Sequence, residues 1–314
     1  MYKDHRVGVA IPAYNEEKLI GKTIAGMPDF VDCIVITNDG SKDRTLEVLT
    51  ELADTDKRVV VLDNDRNRGV GYTVIRGLKE NLEQGMDLIA VMAADAQCDP
   101  AYLSKMCDTV IDEKVDYCKA NRFMNLTALK AMSRFRRTGN IFITILNKFA
   151  TGYYSVFDSQ NGYGVFTRDI LERMPFELIG ERYDYENTML IAMSVIDGRV
   201  KDHPVPAIYG DETSTIPLVP TMYRALKVLT IGFWRRMYYK YVIFDFHPIA
   251  LFLFTGLPLM VFGTVFGLVL AYLRIFHGDS PSTGTVMLSV MPFLVGFQLA
   301  LTAIILDVNH EKRT

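Results

Sequence analysis

Val7-Gly8-Val9-Ala10-Ile11 runs straight into Pro12-Ala13-Tyr14-Asn15-Glu16-Glu17. The first half has the β-branched, apolar composition of a buried strand. The second half is a polar turn without glycine. A dinucleotide-binding domain needs a G-x-G-x-x-G turn at this point, directly after its first strand. Gly69-Val70-Gly71 comes much later, and the position that would complete the motif there is Val74. A dehydrogenase is excluded on that ground.

Working outward, the same unit of apolar run and polar loop recurs. Residues 33–37, 59–62 and 88–92 are short and apolar, and helix-like stretches lie between them at 16–27, 45–53, 72–81 and 101–113. Alternation of this kind predicts an α/β fold, a mostly parallel, Rossmann-like sheet with flanking helices. Ligands of such sheets bind outside the carboxyl ends of the strands. Those ends lead into Asn38-Asp39-Gly40-Ser41-Lys42-Asp43, Asp63-Asn64-Asp65-Arg66-Asn67-Arg68-Gly69 and Ala93-Ala94-Asp95-Ala96-Gln97-Cys98-Asp99. Asp43 and Asp99 also stand where helix caps stand, Asp99 with Pro100 behind it.

The far end of the chain changes character. Nearly all Asp, Glu, Lys and Arg precede Phe246, and residues 249–273 and 285–306 carry no charge. About 20 apolar residues cross a hydrocarbon core of about 30 Å, so each run is long enough to span it. Two core helices of a soluble protein are the alternative, which two such runs in tandem disfavour. Arg235, Arg236 and Lys240 precede the first run and Lys312 and Arg313 follow the second, against Arg274 in the turn. The positive-inside rule then predicts a hairpin in the lipid bilayer, with the catalytic domain and both termini cytosolic. The N-terminus has no apolar signal-peptide core. The four cysteines show no paired metal spacing, which suits a reducing compartment. A formal charge of −3 gives no reason to expect a nucleic-acid partner. Oligomeric state, a homo-oligomer included, is left open.

At this point a resemblance becomes specific. P-A-Y-N-E at residues 12–16, D-G-S-x-D-x-T at 39–45, N-x-G-x-G at 67–71, D-x-Q at 95–97 and N-R at 121–122 follow one another in order. Together they resemble glycosyltransferase family 2 enzymes of GT-A fold. Within that family the chain is similar to dolichol- and polyprenyl-phosphate glycosyltransferases with C-terminal membrane helices. The resemblance implies a cytosolic GT-A domain over 1–220, a juxtamembrane interface helix over 221–247 and a transmembrane hairpin over 248–314. It also implies a nucleotide-sugar donor, UDP- or GDP-linked, and a polyprenyl or dolichyl phosphate acceptor. The expected reaction is inverting transfer of a single sugar. Transfer to a glycolipid or nascent saccharide, or an inactive membrane scaffold, are the alternatives.

The resemblance assigns Pro12, Tyr14, Asn15, Glu16, Asp39, Ser41, Asn67, Gly69 and Asp95 to the nucleotide-sugar. It assigns Asp95, Gln97 and Arg122 to the chemistry, with Arg122 facing the phosphates. Relatives of this type read D-A-D-x-Q where this chain has Ala93-Ala94-Asp95-Ala96-Gln97. Asp95 and Gln97 are then the expected ligands of Mg²⁺ or Mn²⁺, an ion that accepts one or two protein oxygens plus phosphates and water. A lipid phosphate is already an anion, so positioning and charge compensation carry the catalysis.

Residues 126–150 read as an amphipathic helix with a basic stripe of Lys130, Arg134 and Arg137. Such a helix suits either an anionic membrane surface or docking on the sheet. Arg134 or Arg137, with Ser214 in the loop 209–214, are the candidates for the acceptor phosphate. Asp158 and Asn161, in a loop that resembles the family's sugar-closing loop, and Glu186 are the candidates for the sugar.

Overall fold

The computed structural model describes residues 1–122, 134–158, 161–206, 218–278 and 280–311. It divides into two units, Met1–Phe233 and Trp234–Thr314.

In the first unit the apolar runs become strands β1 (Val7–Ala13), β2 (Val31–Asn38), β3 (Val59–Asp63), β4 (Leu88–Val91) and β5 (Tyr117–Asn121). Two further strands, β6 (Gly164–Thr167) and β7 (Val200–Pro204), complete a seven-stranded sheet in the order β3-β2-β1-β4-β6-β5-β7. All pairings are parallel except those of β6, which runs antiparallel to β4 and β5. Alternate residues serve opposite faces. Val7, Val9, Ile11, Ile34 and Ile36 enter one core, while Ala10, Cys33 and Val35 enter the other. Both faces are covered, which is why the strands read as continuous apolar runs.

Helices α1 (Ile20–Ala25), α2 (Thr45–Thr55) and α4 (Leu103–Glu113) cover the first face. Helices α3 (Val70–Glu83), α6 (Arg168–Arg173) and α7 (Tyr185–Val195) cover the second. Between these groups in the chain lies α5 (Arg134–Thr151). The reading of 16–27 as one helix needs correction, because α1 begins only at Ile20. The amides of Asn15, Glu16 and Glu17 are taken by Ser41 Oγ, Thr45 Oγ1 and Asp43 Oδ2, at 3.0, 2.8 and 3.3 Å. Side-chain acceptors from the second loop thus take these amides and hold 15–17 in a turn ahead of the helix. β1 lies between β2 and β4, so the strand order reverses there and the crevice opens beyond their carboxyl ends.

The helix α8 (Leu218–Tyr238) leads from the first unit into the second and continues as a π-helical stretch, Tyr239–Phe244. Two long helices follow, α9 (Pro248–His277) and α10 (Thr283–Glu311). At 1.5 Å per residue the 30-residue α9 is about 45 Å long, more than a bilayer core needs. Only 28% and 17% of their most apolar stretches are buried, which separates them from core helices. A Cβ on Gly256 would come within 2.8 Å of the Gly296 carbonyl, so glycine here lets the backbones meet.

Candidate functional site

A cleft of about 320 Å³ opens where the strand order reverses. Pro12 reaches it from β1, and Met92, Ala93, Asp95 and Gln97 from the loop after β4. Arg122 comes from the end of β5. Asn161, Gly162, Tyr185 and Glu186, among others, complete the lining of the cleft.

The loop after β4 is turned by Ala96, whose φ is +57°, and by Asp95 Oδ1, which accepts the Gln97 amide at 3.0 Å. That turn leaves the Asp95 carboxylate and the Gln97 side chain on one wall. Hard oxygen donors of this kind fit Mg²⁺ or Mn²⁺. Among the described residues no group of three His, Cys, Asp or Glu could hold a metal. Asp99 also lines the cleft, and its Oδ1 caps the turn Pro100–Tyr102 by accepting the Ala101 amide at 2.9 Å.

Arg122 is fixed rather than swinging. Its Nε and Nη2 donate to the two carboxylate oxygens of Asp158 at 2.9 and 3.1 Å, and its amide donates to Oδ2 at 3.0 Å. Burial works against ionisation of Asp158. The hydrogen bonds from Arg122 and the nearby charge of Lys119 outweigh it and hold the carboxyl below its usual range.

The first three loops are stitched to one another. Asn15, at φ +57°, accepts the Lys42 amide through Oδ1 at 2.9 Å, and Ser41 Oγ donates to Asn38 Oδ1 at 2.5 Å. Asp39 is 4% exposed and both its oxygens are occupied. Oδ1 accepts from Asn64 Nδ2 and the Arg68 amide at 2.9 and 2.8 Å, and Oδ2 accepts from the Gly69 amide at 2.9 Å. Gly69 has φ +104°, and a Cβ there would lie 2.5 Å from the Glu181 carbonyl. The glycine is therefore required by chain packing whatever else it does. Tyr14 and Asn67 are exposed, and Tyr14, Asn15, Glu16, Asp39, Ser41, Asn67 and Gly69 all lie outside the lining of the cleft.

Of the sugar-loop candidates, Asn161 and Glu186 line the cleft, while Asp158 stands behind Arg122. Burial pushes the Glu186 carboxyl up to about 7, against the attraction of Lys119. The side chains of Arg134 and Arg137, and all of the loop carrying Ser214, lie outside the described residues. Ala150 and Leu146 of α5 pack with Ile191 of α7, while Ile145 and Phe149 remain exposed.

Lys119 escaped the sequence reading. It is 1% exposed in mid-strand, flanked by apolar Cys118 and Ala120. A lysine at an inward position of a central strand is the signal that would have found it.

Residues 8–174 match the family described as Glycosyl transferase family 2. A UDP-N-acetylglucosamine–dolichyl-phosphate N-acetylglucosaminyltransferase of Methanococcus voltae is 30% identical over 221 residues, which is 66% of this chain and 88% of the relative. An undecaprenyl-phosphate 4-deoxy-4-formamido-L-arabinose transferase of Yersinia pestis (strain Pestoides F) is 25% identical over 307 residues, 93% of this chain and 84% of the relative. Among solved structures, glucosyl-3-phosphoglycerate synthase from Mycobacterium tuberculosis aligns with a TM-score of 0.54 at 17% identity. That alignment covers 73% of this chain and 80% of the synthase, and it is a likeness of fold.

Proposed function

This chain belongs to glycosyl transferase family 2, and we propose that it transfers one sugar from a nucleotide-sugar to a polyprenyl phosphate at the cytosolic face of a membrane. It is a glycosyltransferase of GT-A fold with two apolar C-terminal helices. The observation that carries the proposal is the gathering of Asp95, Gln97 and Arg122 on one cleft in a chain that ends in two membrane-length helices. The names of the Methanococcus and Yersinia relatives support the acceptor, since both are transferases acting on a polyprenyl phosphate.

In this reading an oxygen of the lipid phosphate attacks the anomeric carbon of the sugar. The bond from that carbon to the donor's diphosphate breaks, the nucleoside diphosphate leaves, and the configuration inverts. The nucleophile is anionic at neutral pH, so no general base is needed. The protein's task is to hold two mutually repelling anions together. Arg122, locked against Asp158, presents fixed positive charge to the donor phosphates. Asp95 and Gln97 would hold a divalent cation, which when bound would neutralise charge on the diphosphate. The hairpin keeps the enzyme at the bilayer that holds the acceptor.

Incubation of the full chain with polyprenyl phosphate and a panel of UDP- and GDP-sugars tests the proposal. Mass spectrometry of the extracted lipid should find a sugar-phosphoryl-polyprenol, and Asp95→Ala should lose it. If no donor yields a lipid-linked product while an unphosphorylated glycolipid is glycosylated, the acceptor assignment is wrong.

A further inference from the structure

Lys119 stands between Gly164 of β6 and Asp202 of β7 in the sheet register. Its ammonium donates to the carbonyl of Asn161, and Asn161 Nδ2 donates back to the carbonyl of Ala120 at 3.0 Å. Strand β5 therefore grips the loop at Asn161 from two points, and Asn161 and Gly162 are part of the cleft wall.

Next to the cleft, sharing part of its lining, is a second small space of about 10 Å³, room for about one water molecule. Lys119 and Tyr117 line this space and not the cleft, whereas Val91, Gly162, Tyr185 and Glu186 line both. Glu186 is thus interposed between the buried ammonium and the ligand space. Burying a charge costs several kcal/mol unless it is compensated. Here Asp158, Asp202 and Glu186 all act on Lys119. Asp158 is bound to Arg122, and Asp202 accepts from Asn121 Nδ2 and the Phe157 amide at 2.6 and 2.9 Å. Of the three carboxylates, Glu186 is the one that lines the cleft.

We infer that Lys119 is a positioning residue for the donor's sugar, fixing Asn161 and Gly162 and presenting the Glu186 carboxylate to a hydroxyl of an uncharged sugar. The inference rests on the donor reading of the cleft. A carboxylate accepts hydrogen bonds and does not donate, so it suits hydroxyl groups. A uronate sugar would set its own carboxylate against Glu186, with Lys119 on the far side, and is selected against by like charge.

The experiment uses the full chain and three variants, Lys119→Met, Lys119→Arg and Glu186→Gln. Binding of UDP and GDP, which lack a sugar, is measured beside kcat and KM for a neutral donor and for its uronate counterpart. Lys119→Met should raise the neutral donor's KM about tenfold, with affinity for the sugar-free diphosphate unchanged. Lys119→Arg should recover part of that loss. Glu186→Gln should raise the same KM and narrow the discrimination against the uronate. A donor KM untouched by Lys119→Met overturns the inference, as does a diphosphate affinity that falls in step with it. If Lys119→Met does not fold, Glu186→Gln decides alone, and an unchanged KM together with unchanged uronate rejection is then the overturning result. Wild-type protein that binds neither diphosphate defeats the donor reading and this inference together. Diphosphate binding that is intact in the wild type, with a donor KM indifferent to Lys119→Met and Glu186→Gln, defeats only this one.

Discussion

Arg122 and Asp158 meet as a two-pronged ion pair, Nε to Oδ2 at 2.9 Å and Nη2 to Oδ1 at 3.1 Å, with Asp158 1% exposed and Arg122 35% exposed. The carboxylate is the buried anchor and the guanidinium reaches the cleft. Its planar fork is what fixes the direction of the charge, and lysine cannot reproduce that geometry.

Arg122→Ala is therefore expected to lower kcat about 100-fold, the scale of losing one fixed donor to developing charge. Arg122→Lys should recover only a fraction. Removing the guanidinium also strands a buried carboxylate, at about 3 kcal/mol, which a fall in Tm reads out. Because Asp158 is held below its usual range, its contribution to stability is present at neutral pH and is lost as pH falls through the folded value. Asp158→Asn should flatten that acid limb. A lysine variant equal to wild type in both kcat and Tm would falsify the positioning role.

Asp39 ties the second loop to the third through the amides of Arg68 and Gly69. Asp39→Asn turns one acceptor into a donor that faces those amides. We expect a cost of about 1–3 kcal/mol, seen as a lower Tm of the ligand-free protein. Should the variant keep its ligand-free Tm and lose only nucleoside diphosphate affinity, Asp39 contacts the nucleotide and the loop-holding role fails.

These two sites show what was legible in advance. The β1–β4 alternation announced the sheet, because strands buried on both faces leave continuous apolar runs. Strands β6 and β7 left a fainter trace. Gly164–Thr167 is four residues long and antiparallel, and Val200–Pro204 is Val-Lys-Asp-His-Pro, too polar to read as a strand alone. Asp95, Gln97 and Arg122, which line one cleft, are marked in the sequence by motif order, since they stand in the segments that follow β4 and β5. Lys119 is not, because its meaning depends on β7 and on α7, distant in sequence, bringing Asp202 and Glu186 to it. Asp39 was legible as an important residue, but the hydrogen bonds it makes depend on how the third loop returns.

Arg236 and Asp307 form the corresponding fixed pair of the C-terminal unit. Nη1 and Nη2 donate to the two carboxylate oxygens at 2.8 Å each, and the Tyr241 hydroxyl adds a bond to Oδ1 at 2.5 Å. Both partners are buried, so truncating one takes the opposite charge away from a buried ion. Asp307→Ala should cost about 3–5 kcal/mol, measured by thermal unfolding of the full chain in detergent. The double variant Arg236→Met with Asp307→Leu should regain most of it, because an apolar pair of similar volume removes the desolvation cost as well. Equal Tm values for the single and double variants would rule out charge burial as the cause.

Glu186 should couple stability and donor binding to pH in opposite senses. Burial pushes its folded-state carboxyl up from the ordinary 4.5 to about 7. The folded state thus takes up a proton that the unfolded chain has already released, and the stabilisation is full below the unfolded value and lost as pH rises through about 7. Lys119 from β5, Tyr117 from the same strand, and Asp184 and Tyr185 beside it are the charged and titratable groups that act with it. Glu186→Gln should leave Tm unchanged near about pH 5 and raise it near about pH 8, where the wild type has to bury an ionised carboxylate. Asp202, also raised by burial, titrates in both proteins and cancels from the comparison. Donor binding runs the other way, because the ionised form is the better acceptor for a sugar hydroxyl. The wild-type KM for a neutral donor should fall as pH climbs through 7, and the glutamine variant's should stay flat. A glutamine variant that follows the wild-type pH curve in both Tm and KM would place the titrating group elsewhere.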